Sequence, residues 1–387
     1  HHPVGIMIYG SSDYFSVPWE TVIKMYRTQL GLKNFETIRE FKNDFLEYIS
    51  NDRFLTKKSQ EFYIFIASMS TASTLQGEVR RLKRKWIVRE INRTLQQIAE
   101  QAVDRGILCG HREVQYRSFN SEYGTQIEEF LEYHMENGFN LPRSCWSNFK
   151  RCVFECMRSQ VRTSHASGIV IVGYGEGEIF PTLQEIIIDG GFFDRLRIIE
   201  GRNIDISRAH DSDDSVAIEA FAQTDVVDSF VGGYSEQYRQ EVISMLTGFL
   251  NAQIEDIIEN HTKYDEDTKK TIKAAQKNAV PEAVKEFSRK LDLFSYENYT
   301  EPTEDVLRHA TKDEMAEMAE ALVNLTRLKR RITPELETVG GQIDVAVLSK
   351  GDGFVWIKRK HYFDGALNHQ FFQTYFPAQT MKDGPYE

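Results

Sequence analysis

Two apolar runs near the middle of the chain constrain its fold more than any other feature. The first, residues 168–173, is a block of Ile and Val bounded by glycines. The second covers residues 180–188 and ends in Asp189-Gly190-Gly191. Short apolar runs between turn residues are typical of buried strands. Together they predict a buried β-hairpin at the centre of the fold.

The glycine-rich loop between these runs, residues 173–177, allows a second interpretation as a nucleotide-binding loop. Such a loop should lead directly into a helix. Pro181 and an alternating apolar pattern follow instead, and the carboxylates of Glu176 and Glu178 would repel phosphate. We therefore favour a plain hairpin turn over a phosphate site.

The chain starts with another strand pattern. Over residues 4–9, Val or Ile alternates with Gly, Met and Tyr, so we expect both faces to be buried, as in an inner strand. A fold that starts with an inner strand is expected to have a further element in front of it. Chemistry that depends on the protein's N-terminus would then lie outside these residues.

Helical periodicity covers much of the remaining chain. Predicted helices cover residues 17–31, 35–49, most of 58–162, 235–261, 266–291 and 311–330. Further strands are predicted at 196–206, 216–222, 343–348 and 354–358, the last two joined by an Asp-Gly turn. Thr311 and Glu314 form a capping-box signature. This order predicts an α+β fold with antiparallel sheets.

Composition and charge narrow the class of protein. The net charge of −11 argues against a dedicated nucleic-acid binder, because neutralising phosphates needs a basic face. The most basic stretch, residues 80–93, is expected to be a solvated helix face or a contact with an acidic partner subunit. The chain has no apolar run of about 18 residues, so no membrane-spanning helix is predicted. Four cysteines are too few for a disulfide scaffold, so a reducing cytoplasm is the simplest compartment.

No metal or cofactor site is predicted. Cys152 and Cys156 are four residues apart on a predicted helix, but no His pair completes a ligand set, which favours buried thiols. His210 lies among three aspartates and is the best candidate for acid–base or metal chemistry, although a solvated turn explains it more simply. His165, beside Ser164, is a weaker candidate. The absence of a Gly-x-Ser-x-Gly elbow argues against an α/β serine hydrolase.

Three segments, in the same order, resemble parts of proteasome β subunits, which are N-terminal-nucleophile (Ntn) hydrolases. Residues 8–13, Ile-Tyr-Gly-Ser-Ser-Asp, resemble the corner between the third strand and the first helix. Residues 168–189 resemble the central hairpin. Residues 340–353 resemble the Gly-Gly-strand-turn-strand segment near the end of that fold. The resemblance covers about a third of the chain.

The resemblance implies an αββα sandwich of two antiparallel sheets between helical layers, with large helical insertions. The expected divisions are an Ntn-like core from residues 1–31, 163–234 and 332–360, a helical insertion at 32–162, a helical segment packing on the core at 235–331, and an irregular aromatic tail at 361–387.

The resemblance also implies a site. The family's nucleophile is the first residue of the mature chain, usually Thr, whose own α-amine acts as the base. The matching position and its supporting Asp and Lys fall upstream of His1. Gly10 matches the glycine whose backbone N–H helps to build the oxyanion hole, where no Cβ can be accommodated. Ile8 and Ser12 match positions that line the substrate pocket.

Two departures from the family pattern leave more than one function open. Val339 and Leu336 stand where the family usually has a Ser and an Asp that help to hold the nucleophile. The first hypothesis is a hydrolase that cleaves a peptide or amide bond. The alternative is a non-catalytic assembly or partner-binding protein that keeps the fold. A third hypothesis is that the helical insertions bind a ligand or a partner and regulate the core.

On the first two hypotheses we expect a homo-oligomer, because relatives assemble into rings, and the helical insertions are candidate surfaces for a protein partner. Neither nucleic acid nor a membrane is an expected partner.

Overall fold

The computed structural model describes most of the chain in two compact units. The described residues are 3–51, 53–81, 87–136, 141–206, 216–260, 264–332, 342–359, 367, 368 and 370. The first unit comprises His1–Ser215 and Leu348–Phe354, and the second comprises Val216–Val347 and Val355–Glu387. The fold is α+β and its sheets are antiparallel, which confirms the predicted class.

The elements of the first unit follow one another in a strand–helix–strand order. They are β1 (Val4–Gly10), β2 (Asp13–Tyr14), β3 (Val17–Pro18), α1 (Trp19–Leu30), α2 (Ile38–Ile49), α3 (Lys57–Arg81), α4 (Val88–Asp104), α5 (Tyr116–Glu136), α6 (Trp146–Arg158), β4 (Ser167–Gly173), β5 (Thr182–Phe192) and β6 (Arg195–Asp205). Short 3₁₀ turns at Cys109–His111 and Arg143–Cys145 precede α5 and α6.

The predicted central hairpin is confirmed. β4 and β5 pair antiparallel from Ser167 opposite Ile188 to Gly173 opposite Thr182. The loop between them leads into a strand and not a helix, as the hairpin interpretation requires. Its backbone N–H groups at Glu176 and Gly177 donate to carbonyl oxygens just before α2, at 2.9 and 3.1 Å.

Four strands form one antiparallel sheet in the order β1-β4-β5-β6. Within the described residues β1 pairs on one side only, with β4. The prediction that both faces of β1 are buried is wrong. Ile6 and Ile8 pack against the apolar core, whereas the side chain of Met7 is 48% exposed. The alternation therefore marks one face that packs on the core and one face that is partly exposed at Met7.

The strand predicted at residues 216–222 is also wrong, since these residues have no regular secondary structure. A strand needs a neighbour whose N–H and C=O groups complete its ladder. Residues 216–222 pair with no described strand. The alternating pattern alone therefore did not produce a strand here.

One face of the sheet is covered by α1 and α2. Ile169, Ile171, Ile186 and Ile188 project from β4 and β5 into a core that holds Trp19, Val22, Ile38, Phe41 and Phe45 of the two helices. Full burial of each large side chain stabilises the fold by about 1.5–3 kcal/mol relative to exposure. This layer determines which face of β1 points inward.

The helices α3 to α6 form a second core of their own. It contains Ile91 and Leu95 of α4, Phe119 of α5 and Phe149 of α6. Phe192, at the end of β5, belongs to the same core and is fully buried. The helical segment is therefore packed continuously with the end of the sheet.

The other face of the sheet receives the tip of a second hairpin, formed by β7 (Val345–Ser349) and β8 (Gly353–Lys358). This pairing confirms the predicted Asp-Gly hairpin. Within the first unit, Lys350 Nζ donates to the carbonyl oxygen of Glu176 at 3.0 Å. The ring of Phe354 lies so close to Gly5 that a Cβ there would be 3.3 Å from it.

The second unit is mainly helical and is described by itself. Its helices are α7 (Asp225–Val231), α8 (Glu236–Asn260), α9 (Glu266–Ser295), α10 (Glu301–Arg308) and α11 (Lys312–Ile332), with a π-helical turn at Tyr296–Thr300. The capping box is confirmed, because Thr311 N donates to Glu314 Oε2 at 2.7 Å and Glu314 N donates to Thr311 Oγ1 at 3.3 Å. Asp225 joins α7 to α11 by ion pairs with Lys329 and Arg330, both at 2.8 Å.

Several predicted features lie outside the described residues. They are the centre of the basic stretch at 82–86, His210 with its aspartates, Leu336, Val339, Gly340-Gly341 and the aromatic residues 371–376. Those interpretations, like the predicted division into core and insertions, stay predictions. Among the helices that the structure describes, none combines the length and the apolar character needed to cross a membrane.

A buried ion pair joins the sheet to the end of α6. Arg197 on β6 is 1% exposed, and its Nη1 lies 2.6 Å from Asp189 Oδ2 on β5. The same guanidinium donates to the carbonyl oxygens of Met157, Ser159 and Val161 at 2.5, 3.0 and 2.8 Å. Every donor direction of the planar fork is therefore directed at an acceptor.

Replacing Arg197 by Leu should lower the free energy of unfolding by about 3–5 kcal/mol, because the Asp189 charge and several carbonyl groups would remain buried without their donor. Urea denaturation followed by circular dichroism measures the loss. The matched control is Arg195→Leu, on the same strand, where an exposed side chain donates to Gly110 O at 2.8 Å. We expect the control to cost about 1 kcal/mol. Equal losses for both variants would contradict this account.

Candidate functional site

Gly10 ends β1 in a conformation that other residues adopt with strain. Its φ angle is +83°, in the left-handed region that favours glycine. A Cβ at this position would also collide with the carbonyl oxygen of Ala166 on the neighbouring strand segment. Both the backbone angle and the close approach therefore require a glycine at the position that the resemblance assigns to the oxyanion hole.

Hydrogen bonds hold the corner that follows Gly10. Ser11 N donates to Ala166 O at 3.1 Å, and Ser167 Oγ donates to Ser11 O at 3.1 Å. The buried indole of Trp19 donates from Nε1 to Ser167 Oγ at 2.8 Å. The end of β1, the start of β4 and the first turn of α1 thus form one rigid corner.

A cavity of about 160 Å³ lies beside this corner. It is lined by Ser11, Asp13, Tyr14, Phe15, Ser16, Phe62, Tyr63, Ile66, His165, Ser167, Ile188 and Gly190. Its wall therefore combines apolar side chains with a few hydroxyl, carboxylate and imidazole groups, as small-molecule sites usually do. Burial raises the pKa of Tyr63 far above its ordinary value, so this phenol stays protonated.

Ile8 and Ser12, the two residues predicted to line the substrate pocket, lie in different environments. Ile8 is half-buried and packs against the core under α1 and α2. Ser12 is exposed, its Oγ lies 3.3 Å from Asp13 Oδ1, and its carbonyl oxygen accepts from Trp19 N at 3.0 Å. The corner therefore brings Ser12 beside Gly10 at the surface, whereas Ile8 points to the opposite side of the strand from Tyr9.

His165 and Ser164 form a hydrogen bond at the same end of the sheet. Ser164 Oγ lies 3.1 Å from His165 Nδ1, and His165 lines the cavity. Both side chains are exposed, and no carboxylate within the described part of the chain hydrogen-bonds to His165. A general base for a serine nucleophile needs such an orienting partner. The pair therefore lacks the third member of a catalytic triad.

An ionisable cluster on the other face of the sheet was missed by the sequence interpretation. Tyr9 donates a hydrogen bond to Glu185 Oε1. Glu185 Oε2 accepts from the Arg202 backbone N–H at 2.8 Å and from its Nε at 3.3 Å. The ring of Tyr9 covers Gly168, where any side chain would collide with it. The signal in the sequence was a carboxylate inside the apolar run of β5.

The electrostatics of this cluster keep Tyr9 protonated and Glu185 ionised. Burial, the hydrogen bond to Glu185 and the charge of that carboxylate raise the pKa of Tyr9 to about 12. Burial by itself would raise the pKa of Glu185, but the hydrogen bonds from Tyr9 and Arg202 hold it below its ordinary value. At neutral pH Tyr9 is therefore a proton donor and Glu185 an anion, next to Gly10 in the sheet.

The described residues contain no group of three or more His, Cys, Asp and Glu side chains placed to hold a metal ion. Cys152 and Cys156 are free thiols, the first buried and the second half-buried. Comparison of the chain with protein-family models, with curated proteins and with solved structures finds no match in any of the three.

Replacing Gly10 by Ala should lower the free energy of unfolding by at least about 2 kcal/mol, because left-handed strain and a backbone collision add up. Chemical denaturation measures the change. Gly353→Ala is the matched control: Gly353 has a φ of +74°, close to that of Gly10, but its added Cβ would meet nothing within 4 Å. It should cost only about 1 kcal/mol from backbone strain. A Gly10 variant as stable as the control would show that Ala166 moves away freely.

Proposed function

We propose that this protein is an Ntn-type hydrolase that cleaves a peptide or amide bond, and that Gly10 supplies a backbone N–H to its oxyanion hole. The observation that carries the proposal is the conformation of Gly10 at a rigid corner beside a cavity of about 160 Å³. A glycine allows the substrate backbone to approach closely, and a fixed N–H stabilises negative charge without reorganising.

The sheet supports the same proposal. An Ntn sandwich needs one antiparallel sheet with helices on its outer face and a second sheet on its inner face. Here α1 and α2 cover one face of β1-β4-β5-β6, and the tip of the β7–β8 hairpin lies on the other, against Gly5. We propose that a second sheet packs on this face, where the side chain of Met7 is exposed.

The proposed reaction follows from these parts. The hydroxyl or thiol of the N-terminal residue attacks the carbonyl carbon, and its proton passes to the residue's own α-amine. The carbonyl oxygen becomes an oxyanion, which accepts a hydrogen bond from Gly10 N–H. The protonated amine then donates to the leaving nitrogen, and water hydrolyses the acyl-enzyme. Ser12, exposed beside Gly10, is a proposed substrate contact, while Ile8 holds β1 against the core.

A mechanism-based probe tests the hydrolase directly. We expect a peptide epoxyketone or β-lactone to add its mass to the N-terminal residue of the mature protein, produced from the complete open reading frame. Intact-mass and peptide mass spectrometry locate the adduct. The matched control replaces that N-terminal residue by Ala, which should abolish labelling without changing the thermal unfolding midpoint. A folded protein that is neither labelled nor hydrolyses any amide in a peptide library would refute the proposal.

The second candidate function is assembly without catalysis, and a specific observation favours it. Tyr238, Met245 and Phe249 on α8 are 62%, 68% and 60% exposed. Their spacing of seven and four residues puts them on one helix face, as in the contact stripe of a helical bundle. Large apolar side chains in such a row mark interaction surfaces. We propose that this stripe packs against the same stripe of a second copy.

Solution mass tests assembly. Sedimentation or light scattering should give a multiple of the chain mass of 44.9 kDa. The double variant Met245→Glu/Phe249→Glu should shift the protein toward the monomer, because charges would be buried in the contact. Ser244→Glu/Gln253→Glu adds the same charge at exposed polar positions on α8 and should leave the mass unchanged. A wild-type protein that stays monomeric at micromolar concentration would exclude assembly through this stripe.

A further inference from the structure

A second cavity lies in the first unit, between α3, α4 and the segment that follows α6. Its volume is about 230 Å³. Its lining includes three arginines, Arg105, Arg162 and Arg197, and no aspartate or glutamate. A wall with three cations and no acidic side chain is unusual in a protein whose net charge is −11. We call this feature the arginine-lined cavity.

The three arginines differ in what they already bind. The guanidinium N–H groups of Arg197 already donate to Asp189 and to backbone carbonyl oxygens. The side chains of Arg105 and Arg162 make no hydrogen bond or ion pair with any residue that the structure describes. Arg162 lies close enough to Tyr9 for its charge to oppose the rise in the pKa of that phenol. Both side chains are exposed to solvent, and neither guanidinium group is neutralised by an acidic side chain among the described residues.

Neutral donors complete the wall. Ser70 on α3 and Gln101 on α4 line the cavity, and neither side chain has a hydrogen-bond partner among the described residues. Two arginines, a serine and a glutamine thus line one small space that is open to solvent at Gln101, Arg105 and Arg162. Planar guanidinium groups match the paired oxygens of carboxylates and phosphates better than any other side chain.

A purely structural explanation accounts for only part of this arrangement. Arg105 is the C-cap residue of α4, where a cation complements the helix macrodipole. Arg162 follows α6 by several residues, and the last carbonyl groups of α6 already accept from Arg197. The macrodipole therefore explains the position of Arg105. It does not explain why Arg162 lines the same cavity.

We propose that the arginine-lined cavity binds a small ligand that carries a phosphate or a carboxylate, held by Arg105 and Arg162 with Ser70 and Gln101 as further donors. The volume is below the range of about 300–1,000 Å³ of drug-sized sites, so it accommodates one anionic group and a few attached atoms. The site is separate from the Gly10 corner, and the proposal does not rest on the proposed hydrolase activity.

Isothermal titration of the full chain with inorganic phosphate and with succinate tests the proposal and separates the two ligand chemistries. Sodium chloride at matched ionic strength is the reference, because charge screening depends on ionic strength and is then the same in every salt. We expect one of the two anions to bind at one site per chain and to raise the thermal unfolding midpoint above that in chloride. If neither anion exceeds the chloride reference, the proposal is overturned.

Variants locate the site. Arg105→Gln/Arg162→Gln should weaken binding at least about tenfold, because each charge-assisted hydrogen bond contributes more than a neutral one. The matched control, Arg27→Gln/Arg39→Gln, removes the same charge from exposed arginines outside the cavity and should bind as the wild type does. Ser70→Leu keeps every charge but fills the cavity, so it should also weaken binding. Equal weakening in the control double variant, or unchanged binding in the Arg105/Arg162 double variant, would contradict a site at these two arginines.

Discussion

The buried contact between Arg197 and Asp189 is the interaction on which the first unit depends. Removing two charges from water costs several kcal/mol for each ion, so such a pair is tolerated only when its geometry is complete. Here the carboxylate also accepts from Thr163 N at 2.9 Å, and the guanidinium binds the carbonyl groups at the end of α6. One contact thus joins β5, β6, the end of α6 and the segment that leads into β4.

Both candidate sites are positioned by this contact. The segment that Asp189 holds at Thr163 continues directly into Ser164 and His165 beside the corner cavity. Arg162, one residue earlier, lines the arginine-lined cavity, in which Arg197 itself forms part of the wall. A change that loosens the ion pair should therefore disturb both places, whereas substitutions at Arg105 or Gly10 act on one place each.

The two faces of the sheet have different roles. The face toward α1 and α2 is filled with isoleucines and aromatic rings and provides stability. The opposite face carries Tyr9, Glu185 and an exposed Met7, together with the tip of the β7–β8 hairpin. Uncovered apolar surface on this face leaves room for the further layer that we propose, while the proposed reaction site lies at the Gly10 corner.

The sequence by itself determined the α+β class, the central hairpin and the Asp-Gly hairpin, because apolar periodicity and turn residues act locally. It indicated a glycine at position 10 only through a family resemblance, whereas the φ angle and the approach of Ala166 that require it are tertiary. It did not predict that β1 buries only one face, that residues 216–222 form no strand, or that Arg197 pairs with Asp189. Those outcomes depend on which strand finds a partner and on charges brought together by distant segments. Only the tertiary structure decided them, since burial and ion-pair geometry are properties of packed surfaces and not of the local chain.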